Sequence, residues 1–388
     1  MSARLAGASL DARLRSEFDA TTLDPWGTGA LPVARPADEA ELLELLRFAA
    51  AERLRLLPVG HATKIGRRLP PVRVDLLVET SAFSGLIAFE PGDGTLTAGG
   101  GASLDELTRL CLAGGRTLVP EVAPGATLGG LVATAETGTD RLLRGPVREH
   151  VLGLRVVLAS GRSSRSGGRL VKNVAGYDLH RLHTGGWGRL GIIVEATLRL
   201  FPAWRVQRCL ELSVPDLRVA VDAAGRLRAT RLTPKRLFVT TGPGAASHLR
   251  FDLAGRADVV VDELAALQQL FPGAYEVDVS TPEPRPALVL HALPSAAADL
   301  ADVAGRWLGE LPAAWNAVLH FDPALARAAF ALDGPSSPEV TAFAETRDVP
   351  PSIQRALPPL PTPVLPVGAL GLIERLETAF DPDMRFAR

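Results

Sequence analysis

Three short glycine-rich pieces carry most of the chemistry the sequence offers: PVGHATKIG (58–66), PGATLGGLVATAETG (124–138) and GGWGRLGII (185–193). Glycine lets backbone N–H groups approach an anion closely, and interspersed threonines add donors, so loops of this kind suit the pyrophosphate of a nucleotide cofactor. The competing reading is that the glycines only make turns. Two familiar phosphate-binding patterns are absent. A P-loop needs Gly-x4-Gly-Lys-Ser/Thr, and Lys64 follows Gly60 in no such frame. The dinucleotide fingerprint Gly-x-Gly-x-x-Gly fails where His61 and Ala62 follow Gly60.

The most polar cluster is Lys172, Asn173, Tyr177, Asp178 and Arg181. Asp178 and Arg181, spaced i, i+3, read as a structural salt bridge, and Tyr177 as a packed aromatic with its hydroxyl satisfied. His180 and His183 share that spacing but have no third ligand in view, so they read as a solvated helix face and no metal site is expected. Cys111 and Cys209 are too few for an iron–sulfur cluster or a cysteine-rich zinc site, and they suggest no disulfide scaffold. No residue stands out as a catalytic acid, base or nucleophile.

The elements that must hold these loops follow from hydrophobic period and turn chemistry. ADEAELLELLRFAAAER (37–53) has its leucines at a 3.6-residue period behind Asp38, which predicts an amphipathic helix. LRLLPV (54–59), VDLLVE (74–79), LIAFE (86–90) and TLTAG (95–99) read as strands. SLDELTRLCLAGG (103–115) opens with Ser103 and Glu106 in capping-box spacing and ends on Gly114, which predicts a second helix. Residues 151–168 read as a hairpin turning at Ser160-Gly161, and LGIIVEATLRLFP (190–202) as a long strand ended by Pro202. From 204 to about 335, strands such as CLELSV and RLFVTT alternate with Ala-rich helices, an α+β pattern with an antiparallel sheet. A Pro-rich stretch (350–368) reads as an extended connector and 369–380 as a last amphipathic helix.

With 388 residues, 47% hydrophobic and 22% charged, the chain suits two domains or one domain with a large insertion, and excludes fibrous, disordered and membrane-spanning classes. A net charge of −1 from 42 basic and 43 acidic residues gives no field to collect a phosphate backbone, so nucleic acid is not an expected partner. The first twenty residues lack a continuous apolar run, so no signal peptide is expected, and the cysteine usage suggests a cytoplasmic setting.

Taken in order, VGHATKIG (59–66), LTAGGGASLDEL (96–107), PGATLGGLVAT (124–134), GPVREHVLGLRVVLASG (145–161), GGRLVKNVAGYDLHRL (167–182) and GGWGRLGIIVEATLRLFP (185–202) resemble the FAD-binding domain of the vanillyl-alcohol oxidase, or PCMH, type. The resemblance is closest to the E-type, flavin-binding accessory component of bacterial glycolate oxidase, and it covers about 25–203, with a weaker match at LIERLETAFDP (372–382). It implies an α+β fold: a two-subdomain FAD-binding domain over 1–203, an α+β cap over 204–335, and a connector and helix over 336–388 that return to the FAD domain.

For the site, the resemblance implies that Val59, Gly60, His61, Ala62, Thr63 and Lys64 form the pyrophosphate loop. Pro124, Gly125, Ala126, Thr127, Gly129, Gly130, Ala133, Thr134 and Gly138 would line the cofactor from the other side, and Gly191, Ile192 and Ile193 its adenine end. Lys172, Asn173 and Tyr177 would brace the flavin ring. Some relatives carry a flavin-linked His in this loop; the count from Gly60 puts that position at Ala62, so non-covalent FAD is expected. The implied function is FAD-dependent oxidation of a small 2-hydroxy acid within a glycolate oxidase-type complex. Its partners would be a catalytic flavoprotein and an iron–sulfur subunit, and association with the inner membrane would come only through them. A non-catalytic accessory flavoprotein and a free-standing sugar or alcohol oxidase are the alternatives. The sequence departs from the family pattern at Ala135, where relatives carry Asn, and at FDPDMRFAR, where they continue as FNPGR.

Overall fold

A computed structural model describes residues 10–18, 20–25, 29–65, 73–118, 120, 124–136, 138–169, 177–279, 288–333, 335, 337–350, 353–356, 367–383 and 385–387. The chain opens with α1 (Leu10–Phe18), β1 (Thr21–Leu23), β2 (Leu31–Ala34), α2 (Glu39–Ala51), β3 (Leu56–Val59) and β4 (Leu76–Glu79). Helix α2 starts where expected because the Asp38 carboxylate accepts the Glu41 N–H at 2.9 Å, an N-cap bond. Its Leu42, Leu45, Leu46 and Ala49 form the buried face. The helix carries the chain from β2 to β3, and both strands pair in parallel with β4 in a sheet ordered β1-β2-β4-β3.

Next come β5 (Leu86–Glu90), β6 (Thr95–Gly99), α3 (Leu104–Ala113), β7 (Arg116–Thr117), α4 (Leu128–Thr134), α5 (Arg141–Arg144), β8 (Val151–Val157), β9 (Ser163–Gly167), α6 (Leu179–His183), β10 (Ile192–Arg199) and β11 (Phe201–Pro202). The antiparallel sheet β5-β6-β10-β8-β9 is buried on both faces at β10. One face packs on α3 and α4 through Leu96, Leu107, Leu131 and Leu198. The other, through Val157, Ile192 and Val194, shares a core with the α2 leucines and Leu56. The first two sheets thus enclose one continuous body. Glu195, buried in β10, is met by Arg155 at 3.3 Å and Arg165 at 3.1 Å, and Arg155 also pairs with Glu39 of α2. Burial without those partners would cost several kcal/mol.

The third unit comprises β12 (Val206–Val214), α7 (Leu217–Arg228), β13 (Arg236–Thr241), β14 (Ser247–Gly255), α8 (Ala257–Leu270), β15 (Tyr275–Val277), β16 (Leu288–Ala292), α9 (Ala297–Glu310), β17 (Val318–Asp322), β18 (Arg327–Ala331), α10 (Ser337–Glu345) and β19 (Ile353–Ala356). Its eight strands form one sheet, antiparallel at every pairing, under a core centred on Phe251, Phe321, Phe330 and Trp307. This unit runs further than the boundary at 335. Val340, Phe343, Ala344 and Ile353 belong to its core and β19 extends its sheet, so the connector expected from 336 is shorter; apolar spacing in 337–345 outweighs the proline signal. Helix α11 (Val367–Phe380) follows. Among the described residues no helix is long and apolar enough to cross a membrane.

Three local expectations need correction. Ser103 makes no side-chain cap bond to α3; its backbone bridges Thr127 instead, because the stretch before α3 pairs with the stretch before α4. His180 and His183 are buried, not solvated, and burial pushes the His183 imidazole down to about 4, so it is neutral near pH 7. Tyr177 is 90% exposed rather than packed.

Candidate cofactor cleft

The end of β3, the loop after it and the flank of α4 face one another across an open cleft with about 520 Å³ of empty space. Its lining includes Val59, Gly60, His61, Ala62, Thr63 and Lys64 on one wall and Thr127, Gly130, Ala133 and Thr134 on the other. Sequence reasoning missed Leu57, Pro58, Ile65 and Trp187, which also line it. Trp187 lay inside the third glycine-rich piece, but as an aromatic among glycines it gave no signal of its own.

The walls meet at Gly60. A Cβ there would stand 2.1 Å from Thr127 Oγ1, so only glycine permits the approach. Thr127 holds its position as the N-cap of α4, its hydroxyl oxygen accepting the Gly130 N–H at 3.2 Å. His61 Nδ1 lies 3.2 Å from the Gly125 carbonyl, which can only accept, so that nitrogen carries the proton. The Gly125 N–H in turn donates to Asp105 at 2.9 Å. Lys64 pairs with Glu136 at 2.5 Å across the cleft, both side chains largely buried. The loop after α6 closes the far side, with the Gly185 and Trp187 N–H groups donating to the Val132 and Ala133 carbonyls at 3.0 and 2.9 Å.

Donor availability differs between the walls. Among the described residues, none accepts a hydrogen bond from the backbone N–H of Gly60, His61, Ala62, Thr63 or Lys64. On α4, by contrast, the N–H groups of Leu128, Gly129, Gly130 and Leu131 go to Ala102 O, Gly100 O, Thr127 Oγ1 and Thr127 O. Three non-glycine residues around the cleft adopt left-handed backbone: Ala62 (φ 56°), Ala135 (φ 48°) and Trp187 (φ 52°). Each costs about 1–3 kcal/mol, and such strain collects at ligand sites. A left-handed residue next to a right-handed one is the backbone setting in which successive N–H groups can form an anion-binding concavity.

Other expected site residues lie elsewhere. Pro124, Gly125, Ala126, Gly129 and Gly138 do not line the cleft; Ala126 and Gly129 are packed beneath it. Gly191, Ile192 and Ile193 sit at the start of β10, with Ile192 and Ile193 buried in the two cores. Lys172 and Asn173 lie outside the described residues. Among those described, no group of three His, Cys, Asp or Glu side chains could hold a metal ion.

Residues 30–167, which include both facing walls, match the family model of an FAD binding domain. The chain carries an FAD binding domain. FAD is the cofactor of such a domain, and the open donors of the Gly60–Lys64 loop, with small residues opposite, fit the pyrophosphate of that molecule. The chain is similar to the glycolate oxidase subunit GlcE of Escherichia coli (strain K12), 32% identical over 178 residues, 45% of this chain and 50% of that protein. It is also similar to the D-lactate dehydrogenase of Archaeoglobus fulgidus, 30% identical over 206 residues, 53% of this chain and 46% of that protein. The glycolate oxidase subunit GlcD of Bacillus subtilis (strain 168) is 28% identical over 207 residues, 53% and 44% of the two chains. The chain spans about half the length of the curated relatives it matches. A solved structure of alkyldihydroxyacetonephosphate synthase superposes with a TM-score of 0.69 at 15% identity, over 92% of this chain and 77% of that one. That likeness is one of fold, and it agrees with the α+β, PCMH-type architecture of the FAD binding domain and its cap.

Proposed function

We propose that the chain is an FAD-dependent oxidoreductase acting on the CH–OH group of a small 2-hydroxy acid, as one component of a glycolate oxidase-type complex. The observation that carries the cofactor part is the row of five backbone N–H groups, Gly60–Lys64, in residues that line the cleft and without an acceptor among the described residues. In this reading they hold the pyrophosphate, with Thr63 adding its hydroxyl. Backbone donors suffice for an anion of this size, and Lys64, already paired with Glu136, serves to tie the loop to the residue after α4 rather than to neutralise phosphate. Ala133, Thr134 and Trp187 supply the flat and small surfaces that orient the rest of the molecule and exclude water. The His61 imidazole, tied to Gly125, supports a cofactor held without a covalent bond. When bound, FAD supplies the two-electron redox chemistry that no side chain can.

The substrate class and membership of a complex are supported by the similarity to GlcD, GlcE and the D-lactate dehydrogenases; the partners, a catalytic flavoprotein and an iron–sulfur subunit, are those that the family resemblance implies. A second reading, an accessory flavoprotein without turnover of its own, is favoured by the likeness to GlcE, itself one component of a glycolate oxidase. One experiment separates the two. Purified protein is reconstituted with FAD and mixed anaerobically with glycolate or D-lactate. Bleaching of the flavin by the isolated chain supports turnover; bleaching only after partner subunits are co-purified supports the accessory role. A protein that takes up no FAD overturns both.

A further inference from the structure

We propose that the segment from Glu377 to Ala387 is a clasp that holds the two walls of the cofactor cleft together and sets the rate at which the bound dinucleotide leaves; this rests on the reading of the cleft as the FAD site. None of its described residues lines the cleft. One end extends the first sheet. Strand β3 lies at the edge of the order β1-β2-β4-β3, and the Leu56 N–H donates to Arg385 O at 2.6 Å while the Ala387 N–H donates to Leu56 O at 2.7 Å, a parallel bridge beside Phe386. Phe386, 1% exposed, sits in the core with Leu56 and the α2 leucines. Four residues beyond Leu56, the same strand has become the Gly60 loop.

The other end of the clasp braces the loop after α6, which closes the far side of the cleft and bonds to the end of α4. Phe380 meets the His183 ring edge-on at 5.6 Å between centroids, and Glu377 pairs with Arg189 at 3.7 Å. His183 and Arg189 bracket the loop that brings Trp187 into the cleft and bonds to the end of α4. Between the two ends Asp381, 1% exposed, accepts the Arg385 N–H on one carboxylate oxygen at 2.7 Å and the Phe386 N–H on the other at 2.8 Å. Arg385 donates onward to Ala159 O at 2.7 Å. Both carboxylate oxygens are committed, which ties Asp381 to the Arg385–Phe386 end. In this reading the Gly60 loop and the Trp187 loop move apart when one end of this segment lets go.

The test uses the full chain loaded with FAD and follows the fluorescence of released flavin after dilution. Phe386→Ala and Asp381→Ala should each release flavin about tenfold faster than wild type, since a weakened closure is read mainly in the off-rate. Val340→Ala, which removes packing only from the core of the third sheet, should lower the melting temperature and leave the release rate unchanged. If Phe386→Ala fails to fold, Glu377→Gln, which weakens the Arg189 contact, should still accelerate release. Wild-type release rates in Asp381→Ala and Glu377→Gln, or equal acceleration by Val340→Ala, would overturn the clasp alone. A wild-type chain that never binds FAD would overturn the cleft and the clasp together.

Discussion

On the Gly60–Lys64 wall no backbone N–H donates to a described residue, whereas on the α4 wall the first four helical N–H groups are all used within the protein. Both walls are rich in glycine and threonine, and both read from their composition as phosphate loops. The difference lies in what the glycines approach. Gly129 packs on the backbone of Gly100, where an added Cβ would stand 2.8 Å from the carbonyl oxygen. Its role is to seat α4 on the central sheet. Gly60 meets a side chain across the cleft, and the donors that follow it stay open. Glycine density therefore marks close approach, and only the partner tells whether the approach serves the fold or a ligand.

The largest effect should come from Gly60→Val. Its side chain collides with Thr127 and displaces the loop, so FAD affinity should fall at least about 100-fold, or ~2.7 kcal/mol, by titration of flavin-free protein. Gly129→Ala should act on the other quantity. Overpacking against backbone costs about 1–3 kcal/mol, seen as a lower midpoint of denaturant unfolding, while FAD affinity measured well below that midpoint stays within a few-fold of wild type. Were the two variants to lose affinity alike, the contrast between the walls would fail.

A smaller effect tests the Lys64–Glu136 pair. Glu136→Gln leaves the Lys64 charge uncompensated beside the anion site, so ADP should bind a few-fold more tightly at low salt, and the gain should fade as ionic strength rises. Unchanged affinity with unchanged salt dependence would place Lys64 too far from the phosphates to matter. The smallest effect is expected at Ala135, the left-handed cap of α4. Ala135→Gly removes Cβ strain and should raise stability by about 1 kcal/mol in thermal unfolding, with little change in FAD binding.

Much of this was legible in sequence because the signals are local. Helix α2, the hairpin from Val151 to Gly167 and the loop at Gly60 each follow from spacing and turn chemistry within a few residues. What stayed hidden depends on partners distant in the chain. Ser103 forgoes its cap because Thr127 pairs with its backbone, and His183 is buried because α11 returns nearly two hundred residues later to cover it. Trp187 enters the cleft by the same route: its N–H is drawn to Ala133 O, a contact that no periodicity announces. The extension of the third unit to β19 depended on pairing with β16, again a long-range event.

Backbone amide hydrogen exchange with and without FAD tests the central claim most directly, because unpaired N–H groups exchange fast and those held by a partner exchange slowly. The account predicts fast exchange at Gly60–Lys64 in flavin-free protein, strong slowing of those five amides on adding FAD, and slow exchange at Leu128–Leu131 in both states. Loop amides that exchange equally fast with and without bound FAD would contradict it.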